Sequence, residues 1–154
     1  MSVLAVLRPS SWDLPLFLHL VGAFALVGGV LAAVTLAASA RRHAGHAALL
    51  SRLALRALLA VVVPAFVVMR VGAQWILSKE KYAENSDWVG IGFGISDAGA
   101  IVVIALALLA WRTARRARAG DLRPRSGSLV VGLGTIYLAA LAVAWWAMTT
   151  KPGA

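Results

Sequence analysis

Four long apolar stretches constrain the fold of this chain more than any other feature. They cover approximately residues 14–40, 53–77, 88–111 and 128–148. At about 1.5 Å of helix rise per residue, each stretch is long enough to cross about 30 Å of hydrocarbon. Backbone polar groups must find hydrogen-bond partners within such a segment, which favours helices. The sequence therefore predicts an all-α fold, a four-helix transmembrane bundle that forms a single integral membrane domain over residues 1–154.

Composition separates this chain from soluble proteins and narrows its partners. Of its 154 residues 61% are hydrophobic and 14% charged, whereas soluble domains carry about 25% charged residues. In a soluble protein, the net charge of +9 would suggest binding to nucleic acid. Here most of the basic residues lie in short loops between the spans, where they are expected to contact lipid headgroups. We therefore predict the lipid bilayer as a partner and no nucleic acid. Without cysteine there is no thiolate ligand or nucleophile, and no hydrolase or nucleotide motif occurs, so we predict that the protein is not an enzyme.

The distribution of Lys and Arg predicts the orientation, because basic residues concentrate in cytoplasmic loops. The two loops that follow the first and third stretches carry ten of them: Arg41, Arg42, Arg52, Arg56, Arg112, Arg115, Arg116, Arg118, Arg123 and Arg125. The opposite side carries four: Arg8, Lys79, Lys81 and Lys151. Both termini are therefore predicted to be extracytoplasmic.

Small residues at helical spacing predict where the helices pack, since lipid provides no hydrophobic drive for helix pairing. We expect Gly22 and Gly29 to form the packing face of the first helix, and Gly90 and Gly94 that of the third. Alternatively, one of these stripes forms the interface of a homodimer or of a complex with a partner membrane protein. Pro64 lies in the middle of the second stretch and predicts an irregularity in that helix.

Ionisable residues inside the stretches predict a polar cluster. A charge within a membrane span is costly and marks a functional candidate. Arg70 lies roughly 10 Å and Asp97 roughly 14 Å below the outer surface, so we expect their side chains to pair. Gln74, Tyr137 and His19 are placed to join this intramembrane cluster.

The cluster has three interpretations that the sequence leaves open. It is a structural staple between two helices, or it is a site for a ligand, ion or proton, or Arg70 extends outward to the headgroups and never meets Asp97. His19 is a weak metal candidate, and because the spans contain one histidine per chain, haem or copper binding would require a dimer. His43 and His46 lie in a cytoplasmic loop, far from His19. The expectation is therefore no cofactor and no metal.

A short motif resembles a known family. The segment Phe17–Ala23 (FLHLVGA), followed by Gly28 and Gly29, is similar to the first helix of small CopD-like bacterial membrane proteins of unknown function, and Pro64 and Gly72 also fit that group. The resemblance implies a four-helix fold in the bacterial inner membrane. It also implies copper handling, which the chain does not support because it lacks the further His and Met residues.

Three hypotheses for the function follow. The first is a non-enzymatic accessory or structural membrane subunit. The second is a small transporter, or a ligand- or proton-binding protein, that uses the Arg70, Asp97 and His19 side chains. The third is a haem- or copper-linked membrane protein that acts as a dimer. Substrate, oligomeric state and physiological role do not follow from the sequence.

The predicted orientation can be tested with a reporter protein fused after Met148. We expect the reporter to be active on the extracytoplasmic side, because the ten basic residues of the two loops hold those loops in the cytoplasm. A reporter signal from the cytosol at this position would reverse the assigned orientation.

Overall fold

The protein forms four long helices in a computed structural model that describes residues 13–79, 87–121 and 124–150. Helix α1 is Asp13–Arg42, and a single 3-10 turn, Ala44–His46, joins it to α2. Helix α2 has an α-helical part Ala47–Ala57, a π-helical turn Leu58–Val62 and a second α-helical part Val63–Lys79. Helices α3 and α4 are Asp87–Arg118 and Arg125–Thr150.

The predicted fold class is confirmed. All four helices are long and apolar enough to cross a membrane, and the described residues contain no strand. Each helix extends beyond its predicted apolar stretch, since polar residues at the ends continue the helix outside the hydrocarbon. Large apolar side chains are exposed along the outside of the bundle, among them Phe24, Ile101 and Ile136. In water such a surface would be an aggregation hazard, whereas in hydrocarbon it is a lipid-facing surface.

Helices α1 and α2 pack antiparallel with their backbones in contact. Gly22 faces the backbone of Met69, and Gly72 faces the backbone of His19 and Pro15, where an added Cβ would lie 2.6 Å from His19 N and 2.8 Å from Pro15 O. Gly29 lies against Val61 and Val62. The predicted packing role of Gly22 and Gly29 is therefore confirmed, and both glycines are buried.

Helix α4 packs antiparallel to both α1 and α3. Helix α4 packs on α1, where Gly134 faces Val34, and the rings of Phe24 and Trp145 meet edge to face with centroids 6.2 Å apart. Helix α3 packs along α4. We call the end of the bundle that contains Arg42, Ala47, Arg118 and Arg125 the inner end. Near this end, Thr113 Oγ1 lies 2.8 Å from Ser126 Oγ.

The bundle is closed at the inner end and open at the outer end, which is formed by Asp13, Lys79, Asp87 and Thr150. Helix α3 packs against the first part of α2, Ala47–Ala57, but barely touches the second part, Val63–Lys79. The outer halves of α2 and α3 therefore diverge. This divergence leaves space within the outer half of the bundle.

The irregularity predicted at Pro64 is confirmed as a π-helical turn directly before it. Pro64 has no N–H to bond the carbonyl of Ala60, and in this turn the N–H of Val63 bonds the carbonyl of Leu58, five residues earlier. The turn re-pairs backbone groups that a proline would otherwise leave unsatisfied in hydrocarbon. It separates the inner part of α2, which packs closely against α3, from the outer part, which makes few contacts with it.

The predicted packing role of Gly90 and Gly94 is wrong. Both glycines are exposed, and a Cβ added at either would meet no atom within 4 Å. The inward face of α3 carries Gly92 and Gly99 instead: an added Cβ would lie 2.8 Å from Met148 Cε and 2.7 Å from Tyr137 Oη, respectively. Small residues occur on two faces of α3, and either face could pack against another helix. The composition of the faces did not show which of them turns inward.

Substitution of Gly72 tests the close contact of α1 and α2. Gly72→Ala is expected to lower the free energy of unfolding by about 1–3 kcal/mol, because its methyl group would overlap the backbone of α1, which cannot move aside as a side chain can. Gly28→Ala is the matched control, since its methyl group would enter open space, and its effect should stay within about 0.5 kcal/mol. Reversible unfolding in mixed detergent micelles measures both. Equal stability of the two variants would contradict the packing described.

Candidate functional site: a cavity between the outer halves of the helices

A small cavity of about 60 Å³, open on one side, lies where the outer halves of the helices diverge. All four helices contribute to it. Its first wall comes from α1 and α2 and includes His19, Met69 and Arg70. Its second wall comes from α3 and α4 and includes Ser96 and Tyr137. We call this space the outer cavity.

Arg70 forms the predicted ion pair with Asp97. Its Nη2 donates to Asp97 Oδ1 at 2.5 Å, and its guanidinium lies over the ring of Phe93, 4.8 Å from the ring centroid. Both contacts are favourable for a guanidinium, which pairs with carboxylates and stacks on aromatic faces. Asp97 and Phe93 both belong to α3, so Arg70 is the side chain that links the diverging outer halves of α2 and α3.

Three residues that line the outer cavity each bury a polar atom that has no hydrogen-bond partner within the described residues. The atoms are Arg70 Nη1, Ser96 Oγ and Tyr137 Oη. A buried polar group without a partner costs about 1–3 kcal/mol, and more when it is charged. Groups of this kind are rare in native structures, and three around one cavity call for partners such as bound water or a ligand.

His19 is a hydrogen-bonded packing residue at the edge of the same cavity. Its Nδ1 lies 3.1 Å from the carbonyl oxygen of Met69. A carbonyl oxygen can only accept, so Nδ1 carries the proton and donates, which in the neutral tautomer leaves Nε2 as an acceptor. One imidazole nitrogen per chain is thus left for a metal.

Metal binding gains no support beyond that nitrogen. Among residues 13–79, 87–121 and 124–150, no group of three or more His, Cys, Asp or Glu side chains is placed to hold a metal ion. His43 and His46 lie at the inner end of the bundle, away from His19. The dependence of haem or copper binding on a second chain stays a prediction.

The cluster predicted from the sequence is only partly assembled. His19, Arg70 and Tyr137 meet at the outer cavity. Gln74 is exposed and lies outside the cavity lining. Asp97 does not point into the bundle, because its side chain is 66% exposed, and it does not pair with the hydroxyl of Tyr137. The reason is the same as for Gly90 and Gly94: the face of α3 that carries Asp97 is the outward one.

Ser96 is the cavity residue that the sequence analysis missed. The sequence analysis singled out its charged neighbour Asp97, which lies on the outward face of α3. The spacing of Gly92, Ser96 and Gly99 at intervals of four and three residues could have indicated the inward face. Serine carries no charge, so it did not attract the attention that Asp97 did.

A double-mutant cycle tests the ion pair between Arg70 and Asp97. Arg70→Met and Asp97→Leu should each destabilise the protein by about 1–3 kcal/mol, because each leaves a charge in hydrocarbon without its partner. The double variant should lose less than the sum of the two, with a coupling free energy of about 0.5–3 kcal/mol. The free energies of unfolding of the wild type, the two single variants and the double variant can be measured in mixed micelles. Strict additivity would mean that the two side chains do not interact in the membrane.

Comparisons with known proteins return no match: no protein-family model, no curated protein and no solved structure is similar to this chain.

Proposed function

We propose that this protein is a multi-pass protein of the bacterial inner membrane that binds a small ligand in the outer cavity. The observation that carries the proposal is that three residues around one cavity, Arg70, Ser96 and Tyr137, each bury a polar atom without a partner within the described residues. The ligand supplies the hydrogen-bond partners that the protein lacks.

The cost of these atoms supports a ligand over an empty space. At about 1–3 kcal/mol each, three unsatisfied groups would remove a large part of a typical stability of 5–15 kcal/mol. Bulk water does not reach them at this depth as it would at the surface of a soluble protein. Polar side chains inside a membrane usually face a cavity and mark the path or site of a ligand.

A purely structural role for the cluster has less support. A staple that holds two helices together should be sealed and fully hydrogen-bonded. The Arg70–Asp97 pair instead uses one nitrogen of the guanidinium, leaves the other buried without a partner among the described residues, and leaves Asp97 66% exposed. The glycine contacts between α1 and α2 meet the needs of helix association without this pair.

The orientation and the location belong to the same proposal. Both termini are extracytoplasmic and the Arg-rich loops cytoplasmic, which places the outer cavity in the extracytoplasmic half of the bilayer. The resemblance of the first helix to CopD-like proteins supports the bacterial inner membrane. The proposal includes no copper chemistry, because one imidazole nitrogen per chain is too small a ligand set.

Occupancy of the outer cavity can be measured by native mass spectrometry of the protein extracted with its surrounding lipid into nanodiscs. We expect one small molecule per chain in the wild type. Gly99→Ala should retain about a tenth of it or less, because the new methyl group would lie 2.7 Å from Tyr137 Oη and force that hydroxyl to move.

The matched control is Gly132→Ala, which adds the same methyl group to α4 at a position with no atom within 4 Å. It should retain the wild-type content. If the wild type carries nothing beyond bulk lipid, or if Gly99→Ala retains as much as Gly132→Ala does, the proposal is wrong.

A further inference from the structure

The outward face of α3 carries a charged side chain at a depth where lipid cannot satisfy it. This face consists of Gly90, Gly94, Asp97 and Ala98, all of them exposed, and we call it the α3 face. We propose that a second copy of the chain covers the α3 face, so that the protein is a homodimer in the membrane. The interface lies outside the bundle and does not depend on the proposed ligand.

The position of Asp97 is the observation that indicates a protein neighbour. The residue lies roughly 14 Å below the outer surface at the helical rise, yet its side chain is 66% exposed. Ionisable residues within membrane spans almost always face the interior of a bundle or a water-filled cavity. Acyl chains donate no hydrogen bonds, so they leave the exposed part of a carboxylate unsatisfied. A second protein surface is therefore expected against Asp97.

The shape of the α3 face allows a second helix to approach closely. Gly90, Gly94 and Ala98 follow one another at intervals of four residues, and a Cβ added at either glycine would meet no atom within 4 Å. Gly94 and Ala98 also line an apolar groove of about 190 Å³ between α3 and α4, which leaves room for side chains of a neighbour. Transmembrane helices associate through small residues at this spacing. An acyl chain fits such a surface as well, so the charges decide the occupant.

The charges of the α3 face fit a second copy. Asp97 is paired with Arg70, so a neighbour with a single unpaired charge would be costly to bury here. A second copy inserted in the same direction brings a neutral pair of the same kind at the same depth. A two-fold axis along the membrane normal reverses every direction within the membrane plane. The two ion pairs therefore lie antiparallel, and each carboxylate faces the Arg70 side chain of the other copy, which is 30% exposed.

Association of the purified protein in liposomes, measured over a range of protein-to-lipid ratios, tests the proposal. The chain has no cysteine, so one cysteine added after Ala154 takes a single fluorophore, and photobleaching steps count the chains in each complex. We expect two-step complexes that dissociate as lipid is added. Gly94→Leu should raise the dissociation constant about tenfold or more, because its side chain holds the two helices apart. It should not lower the free energy of unfolding, because a Cβ at this position meets no atom of its own chain.

Gly28→Leu is the matched control. Gly28 is also exposed, and a Cβ added there would likewise meet no atom within 4 Å. It lies on α1, which packs against α2 and α4 rather than α3. The variant should therefore dimerise as the wild type does.

A mixture of two variants tests whether the ion pairs meet across the interface. Arg70→Met alone would oppose two carboxylates in the dimer, and Asp97→Leu alone would oppose two guanidinium groups, so each variant should associate more weakly than the wild type. The remaining Arg70 of one variant can pair with the remaining Asp97 of the other. With the two variants labelled by different fluorophores, energy transfer should therefore show mixed dimers in excess of random pairing.

Several results would overturn the inference. A protein that stays monomeric at every protein-to-lipid ratio is one, and equal dissociation of Gly94→Leu and Gly28→Leu is another. Random pairing of Arg70→Met with Asp97→Leu would show that the charges do not meet between chains and would contradict the proposed arrangement. A different membrane protein that copurifies with the wild type and is lost from Gly94→Leu would assign the α3 face to that partner instead.

Discussion

The backbone contact between α1 and α2 at Gly22 and Gly72 is the interaction on which the rest of the structure depends. Hydrocarbon does not drive apolar helices together, so they associate where small residues let backbones approach and gain van der Waals contact. Gly72 faces the backbone of His19, and this approach lets the His19 ring bond the carbonyl of Met69. The contact that holds the two helices together therefore also positions one wall of the outer cavity.

The second wall, formed by α3 and α4, is packed in a different way, and the outer cavity results from this difference. Gly92 and Gly99 lie under Met148 and Tyr137, so α3 and α4 pack side chain to backbone rather than backbone to backbone. Helix α3 packs closely against α2 only in its inner part, and the π-helical turn at Leu58–Val62 marks where this close packing stops. Two helix pairs that are each well packed thus diverge towards the outer end. The space between them is a result of the fold rather than a defect in its packing.

The sequence predicted the fold well and the site incompletely, for a physical reason. Length and hydropathy define four spans because lipid admits helices almost without alternative. Which face of a helix turns inward is less constrained, since hydropathy is nearly uniform around a transmembrane helix. For α1 the glycines indicated the correct face. For α3 two faces carry small residues, and the charge of Asp97 favoured the wrong one, so that Ser96 was missed and Gly90 and Gly94 were misplaced. The pairing of Arg70 with Asp97 was still predicted correctly, because depth and charge do not depend on the face.

The exposed position of Asp97 is consistent with a ligand site once the geometry of Arg70 is considered. A guanidinium has two terminal nitrogens and a flat face: in Arg70, Nη2 bonds Asp97 and the face covers Phe93, while Nη1 is buried without a partner among the described residues. The carboxylate neutralises the guanidinium and fixes its plane from the outside. Lysine could not replace this arginine, because an ammonium group has neither the fork nor the face. In the proposed site, the ion pair therefore both links two helices and orients the Arg70 side chain.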